Sequence, residues 1–209
     1  MASITRRPAA DPSRRAAVEA DVLAATERLL ADGATFTELG VQRIAAEAGV
    51  ARSTFYLYFR DKTELLLRLA ATLGDVSFAL VTGWSPDAPD ALDGLADTLL
   101  RVIRFYRDRR HVFAAVLEVA GYDRTIGEFW EAQLRLFIDQ GERWLLAEQA
   151  AGRTPADLNA ATASRVMVWG GIRVIADHIT NRPADEDPAV AREVAANEWY
   201  GGFRRPPAG

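Results

Sequence analysis

The chain has 209 residues, of which 49% are hydrophobic and 26% are charged, a balance that favours a globular protein with a buried core and excludes extended disorder and fibrous repeats. It has no cysteine, which excludes disulfides, cysteine-ligated metals and thiol nucleophiles. No run approaches the roughly 18 uninterrupted apolar residues of a membrane span, and no apolar signal segment follows the N-terminal arginines. We therefore expect a cytoplasmic protein with no membrane partner.

The net charge of −4 is unevenly distributed along the chain. Residues 1–62 hold nine Lys or Arg and eight Asp or Glu, whereas residues 63–209 hold 16 basic and 21 acidic residues. An acidic body thus follows a slightly basic front segment, which is consistent with a front segment that faces nucleic acid. Lys62 is the only lysine; arginine supplies the other basic residues.

Apolar residues recur at spacings of three and four along nearly the whole chain, so we predict an all-α protein. The first helix is expected to follow a Ser13 cap, and the predicted helices lie at about 14–31, 41–48, 52–58, 62–82, 90–108, 111–120, 125–151, 155–181 and 188–202. Residues 83–89 contain two prolines and are the predicted joint between domains. The pairs Thr154–Pro155 and Asp187–Pro188 predict helix starts, because the missing N–H of proline costs nothing in a first turn.

Residues 39–59, LGVQRIAAEAGVARSTFYLYF, have the pattern of a helix-turn-helix: a short helix, a tight turn and a second short helix. Ala45 keeps the first helix thin where the second crosses it, and Gly49 can adopt the positive φ of the turn. The predicted core between the helices consists of Ile44, Val50, Phe55 and Phe59. The opposite face is then free for DNA.

The predicted DNA contacts lie on that free face and on the helix before it: Gln42, Arg43, Arg52, Ser53, Thr54, Tyr56, Tyr58 and Lys62. Residues 52–54 occupy the first turn of the second helix, which points at base edges in this motif. The two tyrosine hydroxyls can reach phosphates. Lys62 opens the next helix, where its ammonium and the unpaired backbone N–H groups suit a phosphate.

Residues 31–66 resemble the DNA-binding domain of the TetR family of transcriptional repressors, and the resemblance extends over about 15–68. The strongest matches are Ile44-Ala45, Ala48-Gly49-Val50, Thr54-Phe55-Tyr56, Tyr58-Phe59 and Lys62 with Glu64-Leu65. The family usually has Ser or Thr where this chain has Gly40 and Ala51, the caps of the two short helices. Ala is a weaker cap than Ser by about 1 kcal/mol, so operator affinity or half-site preference can differ from that of relatives.

The predicted helix at 125–151 places an aromatic-rich set of side chains on one face, Trp130, Leu134, Phe137, Gly141 and Trp144. Gly141 leaves a gap in that face, which predicts a pocket; a filled core is the alternative. The run 129–158, together with Trp199, is similar to the effector domains of the mycobacterial ethionamide-resistance repressor branch of the TetR family. That resemblance implies an elongated apolar pocket for aromatic or long-chain ligands.

The predicted helix at 155–181 is apolar on nearly all sides, so it must be covered on two faces. Gly170 and Gly171 in its interior cost roughly 2 kcal/mol against two alanines, and close backbone approach, a kink and room for a ligand are equally compatible with them. Arg173 can meet a ligand carboxylate or pair with a nearby acid. The predicted ligand-binding residues are Phe105, Phe113, Trp130, Leu134, Phe137, Gly141, Trp169, Gly170, Arg173 and Trp199.

His111 and His178 each lack a second ligand at metal spacing, so we predict surface histidines, no metal site and no cofactor. The acidic residues 185–187 are predicted to form a solvated loop. No motif of a catalytic centre is present, which favours a protein that is not an enzyme.

The predicted organisation is a disordered arm at 1–13, a helix-turn-helix DNA-binding domain at 14–62, a ligand-binding and dimerisation domain at 63–203 and a disordered tail at 204–209. The resemblance implies a homodimer through the helices at 156–181 and 188–202, and a repressor that binds a pseudo-palindromic double-stranded DNA operator until a small apolar or amphipathic effector releases it. The alternative is an all-α binding protein or enzyme with a vestigial helix-turn-helix. An activator is also compatible with the sequence.

Overall fold

The computed structural model describes residues 12–206, and every regular element in that range is helical, which confirms the all-α prediction. The chain divides into two compact units, Met1–Leu69 and Ala70–Gly209. The division lies inside a helix, a few residues after the boundary predicted at 62–63. Most of the predicted arm at 1–13 and residues 207–209 of the predicted tail lie outside the described residues.

The first unit contains helices α1 (Pro12–Ala31), α2 (Val41–Glu47) and α3 (Arg52–Tyr58) and the beginning of α4 (Lys62–Thr82). Ser13 lies inside α1 and therefore is not its cap. The chain leaves α1 through Gly33 and turns from α2 into α3 through Gly49, with φ angles of 92° and 68° that favour glycine. The core of this unit holds Val22, Leu29, Phe36, Leu39, Ile44, Ala45, Phe55, Phe59, Leu65 and Leu66. The predicted helix-turn-helix is therefore present.

Helix α4 continues into the second unit and is apolar over most of its length. Among residues 12–206 it is the one helix long and apolar enough to cross a membrane by length and composition. Core helices of soluble proteins also pass that test, and α4 carries four charged residues, Lys62, Glu64, Arg68 and Asp75. Its buried residues recur at helical spacing in both halves, which is typical of a core helix.

The second unit contains α5 (Ala91–Asp108), α6 (Arg110–Ala120), α7 (Arg124–Ala150), α8 (Ala160–Asn181) and α9 (Asp187–Glu198). A 3-10 turn, Ala184–Glu186, precedes α9, and a π-helix, Trp199–Phe203, follows it. Helix α5 packs along α9, and α7 packs along both α6 and α8. The bounds of α5, α6, α7 and α9 agree with the predicted ones to within one residue, except that α9 ends in the π-helix.

The segment 83–89 is not a joint between domains, because it packs into the second unit. The indole N–H of Trp84 donates to the backbone oxygen of Ala91 at 2.8 Å, and its ring meets those of Trp144 and Phe203 edge-on. Arg204 also donates to the backbone oxygen of Pro86 at 3.3 Å. Apolar burial of Trp84 thus outweighs the signal of the nearby prolines.

The helix start predicted at Thr154 and Pro155 is wrong, because α8 begins at Ala160. Asn159 caps that helix, its side-chain oxygen accepting the backbone N–H of Thr162 at 2.8 Å. Thr154 is buried and donates its hydroxyl to the backbone oxygen of Phe203 at 2.7 Å. The Thr154 hydroxyl therefore binds the π-helix near the C-terminus and does not cap a helix.

Arg204, predicted to belong to a disordered tail, is fixed in the structure. It pairs at 2.8 Å with Glu148, a buried carboxylate that also accepts Nε–H of Arg153 at 2.8 Å. Hydrogen bonds from Arg153 lower the pKa of Glu148, and Arg204 lowers it further. Burial has the opposite effect but does not outweigh the two arginines. The two arginines keep this carboxylate charged inside the fold and fasten the chain end to α7.

His178 is buried, so the prediction of a surface histidine is wrong. Its Nε2 lies 2.8 Å from Oδ1 of Asp187, which is only 1% exposed although it was predicted to lie in a solvated loop. Arg107 of α5 donates to the same carboxylate at 3.0 Å and to the backbone oxygen of Arg182 at 2.9 Å. Burial opposes ionisation of Asp187, but the bonds from Arg107 and His178 outweigh it and lower its pKa. His111 is half-buried in α6.

Candidate DNA-binding surface and ligand cavity

Helix α3 buries one side chain and exposes most of the others. Phe55 is fully buried, whereas Arg52 and Ser53 are exposed, Tyr56 is 45% exposed, and Thr54 and Tyr58 are half-buried. Ala51 and Gly40 precede α3 and α2 in extended conformation and provide no side-chain hydrogen bond to the first turn. The first turns of both helices therefore have no hydroxyl cap.

The exposed cations of the first unit differ in their partners. Arg28, Arg60 and Arg68 pair with glutamates. Arg43 and Arg52 have no acidic partner among residues 12–206, and the guanidinium of Arg52 lies 5.7 Å from the ring centroid of Tyr56. Because these two arginines are exposed on α2 and α3, uncompensated positive charge lies on the helix-turn-helix itself, and Gln42 is an exposed neutral side chain beside Arg43.

The beginning of α4 is set by local hydrogen bonds. Oδ1 of Asp61 accepts the backbone N–H of Glu64 at 2.8 Å, and the Glu64 carboxylate reaches back to the backbone N–H of Arg60 at 2.9 Å. The bonds from Arg60 lower the pKa of Glu64. This reciprocal arrangement satisfies two donors that a helix start would otherwise leave unpaired.

Lys62 does not present its ammonium to solvent as the sequence predicted. Nζ donates to the backbone oxygens of Phe36, Thr37 and Leu39 at 2.8, 2.7 and 3.2 Å, and it lies 5.1 Å from the ring centroid of Phe36. Burial lowers its pKa. All three ammonium donors are thus used to tie the start of α4 to the segment before α2.

A cavity of about 110 Å³ lies in the second unit among α4, α5, α7, α8, the end of α9 and the π-helix. Its volume is well above the roughly 10–15 Å³ that one water needs. Five aromatic side chains contribute to a largely apolar wall, Trp84, Tyr106, Phe137, Trp144 and Phe203. Apolar concavities with few polar groups are typical of small-molecule sites.

Two ionisable side chains line this cavity, and their surroundings differ. The hydroxyl of Tyr106 donates to Ser77 at 2.9 Å, and burial raises the pKa of Tyr106 to about 12. Glu198 has no hydrogen-bond or ion-pair partner among residues 12–206. The sequence analysis did not single out Glu198. A signal existed, since this half-buried residue follows the buried Ala191, Val194 and Ala195 at helical spacing.

Of the ten predicted ligand residues, three line the cavity: Leu134, Phe137 and Gly141. Gly141 does so without leaving a gap, because Ser164 occupies the space that a side chain there would need; a Cβ would lie 2.5 Å from its Oγ. The hydroxyl of Ser164 donates to the backbone oxygen of Ile138 at 2.6 Å. Gly141 therefore permits the close approach of α7 and α8.

The other predicted ligand residues lie outside the cavity lining. The ring of Phe113 stacks on Tyr106 at 4.5 Å and meets Trp130 at 5.8 Å, so these two form a layer behind the wall. Phe105 is half-buried under the guanidinium of Arg109. The remaining four lie on or near the outer side of α8 and in the π-helix, namely Trp169, Gly170, Arg173 and Trp199.

Comparison with known proteins gives two matches along the sequence. Residues 22–69 match the family model of bacterial regulatory proteins, tetR family. A curated relative, the HTH-type transcriptional regulator EthR of Mycolicibacterium smegmatis, is 27% identical over 198 residues, which cover 92% of this chain and 88% of that protein. Residues 22–69, which contain the helix-turn-helix, therefore match a DNA-binding domain of the tetR family, and the chain as a whole is similar to that transcriptional regulator. These matches support a DNA-binding regulator, and the helix-turn-helix lies inside the matched domain.

Solved structures share the TetR fold at low sequence identity. Salmonella enterica GusR superposes with a TM-score of 0.71 at 15% identity, covering 92% of this chain and 98% of that one. FadR from Bacillus subtilis in complex with stearoyl-CoA has a TM-score of 0.69 at 18% identity, and the match covers 86% of this chain and 96% of FadR. At these identities the likeness shows the fold alone.

Lys62→Met tests the structural role of the Lys62 ammonium described above. We expect a loss of about 1–3 kcal/mol in the free energy of unfolding, because three carbonyl oxygens lose a charged donor. The slope of log affinity for DNA against log salt should change by much less than the ~0.9 expected for a lost phosphate contact. Chemical denaturation and salt titration of a DNA duplex measure the two quantities.

Arg43→Met is the matched control for Lys62→Met, since Arg43 is exposed and has no acidic partner among the described residues. It should leave stability unchanged and flatten the salt dependence. An unchanged stability of Lys62→Met, together with a salt slope reduced by about one phosphate contact, would restore the phosphate role predicted from the sequence.

Proposed function

We propose that the protein is a cytoplasmic homodimeric repressor that binds a pseudo-palindromic operator in double-stranded DNA and is released by a small apolar or amphipathic effector. The observation that carries this proposal is the aromatic-lined cavity inside the second unit of a chain similar to TetR-family regulators. The proposed DNA-binding surface consists of the exposed side chains of α2 and α3. In it Arg52 and Ser53 contact bases, and Tyr56 and Tyr58 contact phosphates.

The exposed outer side of α8 supports the proposed homodimer. Three apolar side chains stand exposed there, Val166 at 67%, Val174 at 47% and Trp169 at 45%, with Gly170 between them. A Cβ at Gly170 would meet nothing within 4 Å, so this glycine leaves a shallow place on the helix surface. A contiguous apolar helix face is stabilised when a second copy covers it, and a two-fold dimer through α8 and α9 does so.

Effector release needs a connection between the cavity and the DNA-binding unit, and α4 is the segment shared by both. Val81 near its end lines the cavity, Ser77 accepts the hydroxyl hydrogen of Tyr106 in the cavity wall, and Lys62 begins the helix in the first unit. A ligand that displaces this wall displaces α4. The spacing of two recognition helices then no longer fits major grooves about 34 Å, or one helical turn, apart. Coupling of this kind is reciprocal, so operator DNA weakens ligand binding by the same factor.

Selection of bound duplexes from a randomised DNA pool, at moderate salt and without ligand, tests the proposal. We expect an enriched inverted repeat whose half-sites are one helical turn or a multiple apart. A folded dimer that enriches no sequence, after any co-purified ligand has been extracted, would refute the operator-binding role. Calorimetric titration of ligand with and without operator then tests release, and equal affinities in the two titrations would refute the coupling.

Arg52→Ala should change which sequences are selected, because a guanidinium in the first turn of α3 can bond a guanine edge in two places. We expect about 1–3 kcal/mol less discrimination at one position of each half-site. Arg52→Lys keeps the charge but not the planar donor pair, so it should relax the same position. Arg104→Ala is the control, because it also removes one exposed positive charge, but from the second unit. It should leave the selected motif unchanged. An unaltered motif in Arg52→Ala removes this residue from base contact.

A further inference from the structure

Glu198 is the last residue of α9, and the π-helix Trp199–Phe203 begins directly after it. Its side chain lines both the cavity and a groove on the outer side of α8. Helix α8 carries Gly171 at this point, and a Cβ there would lie 3.2 Å from Oε1 of Glu198. π-Helical segments occur frequently at functional sites. The π-helix after Glu198 and the glycine beside its carboxyl therefore both indicate a binding site at this residue.

The surroundings of Glu198 leave its charge uncompensated. Among the residues that line the two concavities, the titratable or charged ones besides Glu198 are Tyr106 of α5 and Arg205 after the π-helix; α7 and α8 contribute none. Tyr106 is bonded to Ser77, and Arg205 makes no ion pair with Glu198 in the described part of the chain. Burial raises the pKa of Glu198 to about 8. Glu198 is half-buried, and a carboxylate without an ion-pair partner in a largely apolar wall is costly to ionise, so a cationic ligand would stabilise its charged form.

The aromatic rings of the wall favour a positively charged partner. Trp84, Phe137, Trp144 and Phe203 line the same cavity, and aromatic rings attract ammonium groups. Once Glu198 is ionised, an anionic ligand would be repelled by its carboxylate, and a neutral ligand would leave that charge unpaired. An ammonium group compensates that charge and suits the rings.

We propose that the effector is an amphipathic amine whose protonated amino group pairs with the Glu198 carboxylate while its aromatic or aliphatic body occupies the cavity. This inference rests on the proposed function of the cavity as the effector site. Near neutral pH an ammonium ligand displaces the proton of Glu198 when it binds. Its affinity therefore rises with pH until Glu198 is ionised in the free protein. A neutral acceptor would instead prefer the protonated carboxyl and bind more weakly as pH rises.

Isothermal titration calorimetry of the full chain with three probes that share one four-carbon phenylalkyl skeleton tests the proposal: 4-phenylbutylamine, 4-phenylbutan-1-ol and 4-phenylbutanoate. At pH 8 we expect the amine to bind at least tenfold more tightly than the alcohol or the carboxylate. Between pH 6 and 8 the affinity of the amine should rise and proton release should be detectable as a buffer-dependent heat. Binding of the alcohol as tight as that of the amine, or no binding of the amine, overturns the proposal.

Glu198→Gln should weaken binding of the amine at least tenfold and leave that of the alcohol nearly unchanged. Glu193→Gln, an exposed position on the same helix, is the matched control and should change neither. Circular dichroism verifies that each variant is folded, and the pH dependence of the unmutated protein is an independent measurement. Unchanged amine affinity in Glu198→Gln overturns the proposal.

Failure of this inference and failure of the proposed function give different results. If the amine binds through Glu198 but does not release operator DNA, the ligand class stands and the release mechanism fails. If a neutral compound releases the operator and Glu198→Gln does not alter its affinity, the release mechanism stands and the amine inference fails.

Discussion

Asp187→Ala is expected to lower the free energy of unfolding by about 3–5 kcal/mol, the effect of removing one partner from a buried ion pair. The carboxylate joins three segments, since Arg107 comes from α5, His178 from α8, and Asp187 itself begins α9. The side chain of Arg107 is only 16% exposed, so it cannot regain full hydration when the acid is removed. Denaturant unfolding at fixed protein concentration measures the loss.

Asp185→Ala is the control for this substitution, because Asp185 is exposed in the adjacent 3-10 turn and loses the same charge. It should change stability by less than about 0.5 kcal/mol. The effect of Asp187→Ala should also shrink in acid. Since the pKa of Asp187 is lowered in the folded protein, its stabilisation is present above its unfolded pKa of about 3.9 and is lost as the pH falls through the folded value. Equal losses in the two variants would contradict the buried network.

Glu198→Gln is expected to stabilise the protein at alkaline pH, on the order of 2–4 kcal/mol at pH 9. The pKa of Glu198 is raised from 4.5 to about 8 in the folded protein. The unfolded chain therefore loses this proton first, and stability falls progressively between about pH 4.5 and pH 8. Glutamine is uncharged at every pH and removes this loss. The free energy of unfolding, measured without ligand at pH 5 and pH 9, checks the prediction.

At pH 5 most of the difference between Glu198→Gln and the unmutated protein should vanish, because the carboxyl is then largely protonated in the folded protein. Glu193→Gln, exposed on the same helix, should show no comparable pH dependence. A gain in stability of Glu198→Gln that is the same at both pH values would arise from packing and would contradict the burial of an unpaired carboxyl.

Local patterns were sufficient to predict most helices. Helix α3 begins and ends where predicted, at Arg52 and Tyr58, because Gly49 and the extended Ala51 isolate it from α2. Helix α4 likewise has the predicted bounds, because Asp61 and Glu64 close its first turn. In these cases the signal and its partner lie within a few residues of each other.

The failures share a different cause, which is a partner distant in sequence. Thr154 has the local features of a cap, but its hydroxyl bonds to Phe203, and Asn159 caps α8 instead. His178 is buried because it pairs with Asp187, and that carboxylate is held in the interior by Arg107, which lies 80 residues away in the chain. No spacing rule encodes such a meeting of segments.

The candidate cavity was predicted in part for the same reason. Periodicity on α7 correctly placed Leu134 and Phe137 in the wall, since both lie on one face of a single helix. It could not show that Ser164 of another helix occupies the space beside Gly141. The α8 periodicity also could not show which of its faces would be covered, so exposed Trp169 was assigned to the pocket.

The location of the tryptophans provides an optical reporter of one half of the protein. All five lie at residue 84 or later, so indole emission arises entirely from the second unit. Trp84 and Trp144 line the cavity with their rings 5.1 Å apart, where an entering ligand would change their polarity and quenching. Intrinsic fluorescence can therefore follow ligand binding in the cavity without an added label. A shift in emission when operator DNA is added would have to originate outside the helix-turn-helix unit, and it would record communication between the two units directly.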